Sequence, residues 1–355
     1  MGILFRYIVK SVMSATGLVI LVMMGLILII NFLDELRDIG TGDYGFLQAI
    51  FHVLLELPNN IYHFFPMIAL LGAVLGLGIL ASHQELIVMR ASGFSTRKIA
   101  FANVMAAFIL ICIVSVAGEW IAPQAHRLAE NHKQSAENGG QAVATVSGVW
   151  IHEGNNFLNI NRVIGLNHLE GVTRYQFDDH HQLLASYSVK SLDLNKKQWI
   201  LHDGVKTSFS NMKAVSEPLA EGSWDLFLNP QLLNVGLAEP AAMTLPQLEE
   251  YSDHLVKNGL QATDFQFEFW KRIFQPISTL IMILLALPFV MQSSRSVTMG
   301  WRVVFAIVIG FIFYMLNAFL GQFSVVFQFS PILAAIVPTA IFAIFGLFLA
   351  YYWTK

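Results

Sequence analysis

The chain of 355 residues contains one cysteine, Cys112, and few charges: 13% of its residues are Asp, Glu, Lys or Arg, where average chains carry about 25%. A single thiol excludes an intramolecular disulfide and any zinc site built from several cysteines. At about 150 residues per domain the length alone fits two soluble domains, but the shortage of charge excludes an ordinary soluble protein. Acidic residues are missing altogether after Glu268, and 29 of the 45 charges fall in residues 122–272. The net charge of −3 therefore averages over two different environments.

The remainder is strongly apolar, with 55% hydrophobic residues. Runs of about 20 apolar residues suffice to cross a hydrocarbon core of about 30 Å. Six occur, at 11–33, 61–81, 99–118, 273–291, 303–323 and 331–353, and none contains Asp, Glu, Lys or Arg. Buried soluble helices rarely run so long without charge, so six transmembrane helices are expected. The first run is too long for a secretory signal core of roughly 7–15 residues, and no small-residue cleavage site follows it, so it should remain as an anchor. With the N-terminus in the cytoplasm, the inner segments hold eight basic residues and the two short outer loops only Arg37. That asymmetry predicts both termini inside and residues 122–272 outside. The expected organisation is 1–121 (spans one to three, with an inner loop 83–98), 122–272 (outer domain with helical connector) and 273–355 (spans four to six).

Within the outer segment short alternating stretches replace the long runs. Residues 149–151 and 157–163 flank Gly154-Asn155-Asn156 as a hairpin, and further strands are expected at 172–177, 184–194, 199–201 and 205–209, the last two separated by Asp203-Gly204. Strands recurring at this interval argue for an antiparallel sandwich or open barrel. Thr244 and Gln247 form a T-x-x-Q capping signature for a helix closed by Asn258-Gly259, and Asp264 should cap another that runs into span four. In the first outer loop, residues 44–57 read as an amphipathic helix with Gln48, His52 and Glu56 on its polar side, stopped by Pro58.

Searches for chemistry find little. No G-x-x-x-x-G-K-[ST] loop is present to cradle ATP phosphates. His152-Glu153 lacks the second histidine of a zinc-protease motif, and His180-His181 are adjacent, so no metal site is expected. Ser95, in Gly93-Phe94-Ser95-Thr96, reads as the N-cap of span three. Membrane-embedded charges usually mark ion pathways; here only His63, Glu119, Asn31 and Asn317 stand out. Asn317 is expected to bond a neighbouring helix, and His63 and Glu119 to sit near an interface. Gly72-x-x-x-Gly76 permits close approach of another helix to span two. In the loop 83–98, Glu85 is the sole acid on the inner side and begins a short helix ended by Gly93. Two readings stay open: it pairs with an arginine in a partner's groove, or it offsets Arg90 on its own helix.

The stretches Glu85-Leu86-Ile87-Val88-Met89-Arg90-Ala91-Ser92-Gly93-Phe94-Ser95, Phe65-Pro66-Met67, Gly118-Glu119-Trp120-Ile121-Ala122-Pro123 and Ile273-Phe274-Gln275-Pro276 resemble the LptF/LptG permease family. Together with Arg295-Ser296-Val297, they are closer to its LptG branch. The resemblance implies an α-helical polytopic membrane protein of six transmembrane helices with an inserted all-β periplasmic jellyroll-like domain. Its implied role is a non-catalytic permease subunit of an ATP-driven lipopolysaccharide exporter in a Gram-negative inner membrane. Implied partners are an LptF-like permease, an LptB-like ATPase dimer and an LptC-like bitopic protein; no cofactor and no nucleic acid is implied. Glu85, Met89, Arg90 and Gly93 would belong to the helix that couples to the ATPase. Phe311, Phe313, Leu316 and Phe319 would line the acyl-chain cavity, at roughly 0.8 kcal/mol per buried CH₂. Arg37, with Lys133 second, would hold phosphates at the rim. Family members often carry a lysine where Asn31 stands and a basic residue where Asp38 stands, and both departures place more weight on Arg37 or on the partner's residues. Two other classes compete. An ion-coupled lipid transporter is disfavoured by charge-free spans, and a membrane-anchored periplasmic scaffold by six spans where one suffices.

Overall fold

The computed structural model describes residues 2–137, 149–153, 156–164, 168–178, 182–195, 198–210, 213–219, 222–224, 239–257, 261–291 and 298–354. All six expected spans are helices: α1 (Ile3–Glu35), α2 (Phe46–Ser82), α4 (Thr96–Val116), α7 (Thr263–Met291), α8 (Met299–Phe327) and α9 (Pro331–Thr354). Between α2 and α4 lies the short α3 (Glu85–Ala91). Span three does not end at the membrane boundary but continues through a π-helical turn (Ala117–Ile121) into α5 (Ala122–Glu137).

The bundle is arranged around α2, the most buried of the six. Its Gly72 and Gly76 form the surface against which α1 crosses. A Cβ at Gly76 would lie 2.7 Å from the Val12 Cα, and one at Gly72 2.6 Å from the Thr16 Cα. The Ser11 hydroxyl donates to the Gly76 carbonyl at 3.0 Å, so the expected close approach also carries a hydrogen bond. On another side of α2, Met67 packs over Gly310 of α8. Polar bonds join the remaining helices: Asn103 of α4 donates to the Ile283 carbonyl of α7 at 3.0 Å, and Ser278 of α7 meets Thr339 of α9 at 2.6 Å. In lipid, where apolar surface supplies no preference for helix over acyl chain, such close packing and hydrogen bonds decide which helices pair.

Pro58 does not stop α2; the helix runs through both Pro58 and Pro66. An interior proline costs about 3 kcal/mol in an isolated helix, but α2 is packed by α1, α5, α7 and α8 along its length, and the Asn60 amide donates to the Glu56 carbonyl at 3.0 Å beside the break. The polar side of this segment also faces the other way from the expectation. His52 and Glu56 are packed inside against α1 and α5, while Phe46, Leu47, Phe51 and Leu54 are exposed. Asp264 is likewise a first-turn residue rather than the cap, because α7 begins at Thr263 and the Ala262 carbonyl already accepts from Gln266.

Between α5 and residue 225 the described residues of the inserted segment are almost all in strands. Strands β1 (Val149–Glu153), β2 (Asn156–Ile164), β3 (His168–Phe177), β4 (Leu183–Asn195), β5 (Gln198–Ser210), β6 (Lys213–Leu219) and β7 (Gly222–Trp224) form one antiparallel sheet. They follow one another in meander order, with β6 and β7 end to end along the same edge of β5. Its core comprises Leu158, Ile160, Leu169, Val172, Val189, Leu192, Trp199 and Leu201. Leu169 and Val172, three apart, share that face because Gly171 between them takes φ +63 and shifts the alternation. Asp203 does the same on β5 at φ +51, and β5 keeps its register with β4 across it, so Asp203-Gly204 lies inside one strand and is not a turn between two.

One group in this sheet titrates usefully. The His168 Nδ1 is 2.5 Å from Asp193, with Glu170 3.7 Å from its Nε2 and His202 3.2 Å from the other Asp193 oxygen. The hydrogen bond to Asp193 raises the imidazole above its ordinary value. A raised folded-state value favours the protonated form, so its stabilisation is complete below about pH 6.5 and disappears as pH rises through the folded-state value. The thermal midpoint of the full chain in detergent should therefore fall between about pH 6 and about pH 9, and fall less in His168→Gln. Equal pH slopes for the two proteins would exclude this contribution.

Candidate coupling helix, connector clamp and cation sites

The chain enters α3 through a sharp turn, with Gln84 at φ 62, and leaves it at Gly93, φ +87. Phe94 N–H bonds the Met89 carbonyl at 3.0 Å and Gly93 N–H the Arg90 carbonyl at 3.1 Å, the paired bonds of a Schellman ending. Gly93 thus has the stopping role expected from the sequence. Ser95 occupies the N-cap position of α4, its carbonyl accepting from Lys98 and Ile99, but its side chain makes no cap bond.

Leu86 and Met89 are buried in the hydrophobic core of the helix bundle and fasten α3 to it. Glu85 sits in the first turn beside the Tyr7 hydroxyl of α1, with its Oε1 3.8 Å from His83 Nδ1. Arg90 is exposed, and no described acid pairs with it. The outward face therefore consists of Glu85, Arg90, Ile87 and Val88, the last two about two-thirds exposed. Sequence reasoning named Glu85 and Arg90 but missed Ile87 and Val88. It placed Met89 in the same group, whereas the structure turns Met89 inward.

At the opposite end of the bundle a clamp fixes the segment that returns from the β domain. Arg272 on α7, fully buried, donates to the carbonyls of Met243 (2.6 Å), Pro240 and Ala241 (both 3.2 Å) and to Glu268 (3.2 Å). Glu268 also accepts from Lys271 at 2.8 Å. Glu119, in the π-helical turn, accepts from the Leu245 N–H at 2.7 Å, capping the first residue of α6 (Leu245–Lys257). The Thr244 N–H donates to the Gln247 side chain at 3.0 Å, the expected Gln arm of the capping signature; its C-terminal Asn258-Gly259 lies outside the described residues. A guanidinium on carbonyls and a carboxylate on a helix N-terminus both match the polarity of the peptide groups they meet. The motif residues have related tasks: Gln275 donates to the Tyr62 carbonyl, and Gly118 packs against the Tyr62 ring.

A second polar cluster joins α1, α2 and α5. Lys133 lies 2.9 Å from Glu35 and 2.7 Å from Asp38, and 5.6 Å over the Tyr44 ring; Tyr44 donates to Glu35 at 2.8 Å. Burial and the Glu35 carboxylate push the Tyr44 phenol above its ordinary value, and the Lys133 ammonium holds Asp38 below the usual carboxylate range. His126 bridges Glu56 and, at 3.3 Å, Glu239, whose carboxyl that contact holds low. Of the two cations expected at the rim, Lys133 is therefore engaged with two carboxylates, while Arg37 is exposed and has no ion pair among the described residues. The Asn31 position carries no charge, and Asp38 serves Lys133.

The aromatic wall expected on α8 divides in two. Phe311 and Phe319 are exposed, as are Leu21, Val22 and Ile29 of α1. Phe313 is buried edge-on against Phe342 of α9 at 5.2 Å, and Leu316 packs on the core. Asn317 donates to the Phe313 carbonyl of its own helix, not to a neighbouring one, because the residue four back is the nearer acceptor. No metal cluster occurs among the described residues.

Six apolar helices long enough to cross a membrane, a β domain inserted after the third and a short helix between the second and third define a multi-pass membrane protein. The chain belongs to the family of the lipopolysaccharide export system permease LptF/LptG, whose model matches residues 6–352. It is 36% identical over 351 residues to the lipopolysaccharide export system permease protein LptG of Escherichia coli (strain K12), covering 98% of each chain. To the LptG protein of Haemophilus influenzae (strain Rd) it is 35% identical over 346 residues, 96% of this chain and 95% of the relative.

Proposed function

We propose that the chain is the non-catalytic permease subunit of an ATP-driven exporter that extracts lipopolysaccharide from the inner membrane and passes it to a periplasmic bridge. The observation that carries this reading is α3, a short helix locked at both ends whose Glu85, Ile87, Val88 and Arg90 face outward. A groove in an LptB-like ATPase dimer would receive that face, so that closure of the ATPase moves the bundle. N- and C-termini then lie in the cytoplasm with α3, and the β domain in the periplasm beside an LptC-like protein. An LptF-like permease would complete a cavity against the exposed apolar faces of α1 and α8, with Arg37 as the rim cation and Lys133 contributing what charge its two carboxylates leave.

This assignment separates the four α8 residues by role. A photo-crosslinking residue at Phe311 or Phe319 should label lipopolysaccharide in the assembled transporter, and one at Phe313 should not. Labelling from Phe313 alone would place the transport cavity elsewhere. The purified chain alone should hydrolyse no ATP.

A further inference from the structure

Beside α8 a half-open cavity of about 300 Å³ is lined by α2, α7, α8 and α9. Its walls are mostly apolar: Phe64 stacks on Tyr314 at 4.7 Å, with Met67, Phe313 and Ala335 beyond. Its polar groups without a full set of partners gather toward the end that carries the β domain, since α2 and α7 run away from that end and α8 toward it; deeper on α7, Gln275 and Ser278 are bonded to the Tyr62 carbonyl and to Thr339. At the β-domain end, Asn60, His63, Lys271 and Asn317 line the space. The Asn317 amide nitrogen bonds the Phe313 carbonyl, leaving its oxygen as an acceptor. Neither nitrogen of His63 has a hydrogen-bond partner among the described residues. Lys271 uses one of its three ammonium protons on Glu268.

We propose that this cavity binds one acyl chain of a bilayer phospholipid, its ester group meeting His63 and Asn317 and its headgroup phosphate meeting Lys271. The size decides against a larger occupant: about 300 Å³ is the low end of small-molecule sites and has no room for several chains together. The gradient from cation through neutral donor and acceptor to aromatic wall follows the order of phosphate, ester and hydrocarbon in a lipid. An imidazole offers one donor and one acceptor, and an ester carbonyl or neighbouring hydroxyl satisfies it. Left empty within a bilayer, the cavity would forfeit dispersion contacts along its apolar wall and leave those polar atoms unmatched. Tyr314 and Ala318 stand three and seven residues after Phe311 on the same stripe of α8, so the cavity opens beside the face assigned to transport, while Met67, Phe313 and Ala335 form its inward walls; its distinction from the transport path rests on that assignment.

The test uses the full chain in vesicles of phosphatidylethanolamine and phosphatidylglycerol containing a phospholipid with a photoactivatable diazirine on its acyl chain. A parallel arm uses lipopolysaccharide carrying the same group. Expected is labelling of Phe64, Met67 or Phe313, lost in Ala335→Trp and in Ala318→Trp, while the exposed Leu347 of α9 is labelled equally in all three proteins. Equal labelling at Leu347, with an unchanged thermal midpoint, shows that a filled variant is folded, and either variant alone suffices. Labelling by phospholipid supports the proposal, and labelling of these residues only by lipopolysaccharide overturns it, because the cavity would then belong to the transport path. Labelling confined to exposed residues in both arms overturns the proposal.

Discussion

Glu85→Ala should leave the chain folded and inserted but largely uncouple export from ATP hydrolysis. The substitution removes a half-buried carboxylate and its contact with Tyr7 from a helix whose fold depends on Leu86, Met89 and the Gly93 turn, so stability should change little. The expected loss is at the interface. Truncating one member of a buried, hydrogen-bonded charge pair costs about 2–5 kcal/mol, or at least about thirtyfold in affinity. ATPase retention on the purified permease and the export rate should both fall, while ATP hydrolysis by the isolated ATPase stays unchanged. Ile87→Ala, which shortens a neighbouring exposed side chain, should give a smaller loss of the same kind. Normal export by Glu85→Ala would leave Glu85 with only its local contacts to Tyr7 and His83.

The largest stability effect is expected at Arg272. Its guanidinium is the shared donor for three carbonyls of the connector and for Glu268, and both charges are buried. Arg272→Met leaves the Glu268 carboxylate with Lys271 alone and three carbonyls without that donor. Breaking a buried pair on one side costs about 3–5 kcal/mol. The thermal midpoint in detergent should drop, and protease should cut residues 239–245 sooner than in the unaltered chain. Adding Glu268→Leu should restore part of the loss, because the unmatched charge goes with it. A double variant as unstable as the sum of its parts would mean that the carbonyl contacts, rather than the ion pair, hold the connector.

The six spans were legible because lipid imposes a local rule, about 20 apolar residues without charge, which these helices obey one by one. The α3 ending was legible for a similar reason, since Gly93 supplies a backbone conformation that other residues rarely adopt. What escaped the sequence depends on residues far apart. Arg272 meets carbonyls at 240–243 and approaches Glu119, and no local pattern connects them. His52 and Glu56 have the spacing of a solvated face, but their partners Glu35 and His126 lie on α1 and α5, so the polar stripe turns inward. Pro58 was read as a stop from local cost alone, without the helices packed around it. Met89 shows the limit within a single motif: proximity to Glu85 in sequence places it on α3, but only packing shows that it faces the core of the helix bundle.

The cation sites depend on the same distinction. Arg37 and Lys133 look alike in the sequence as basic residues beyond apolar runs. Lys133 is held by Glu35 and Asp38 from α1 and the segment after it, and joins α5 to α1. Arg37 has no such engagement among the described residues and is the better placed of the two to meet an anionic headgroup.

The central claim is that this chain moves lipopolysaccharide by coupling to a separate ATPase. The most direct test is reconstitution of the chain with an LptF-like permease, an LptC-like protein and an LptB-like ATPase in lipopolysaccharide-loaded proteoliposomes, with release measured under ATP or under an imposed proton gradient. The account predicts release with ATP that stops when the ATPase is omitted, and none driven by the gradient. Release sustained by the gradient in the absence of ATP would contradict it.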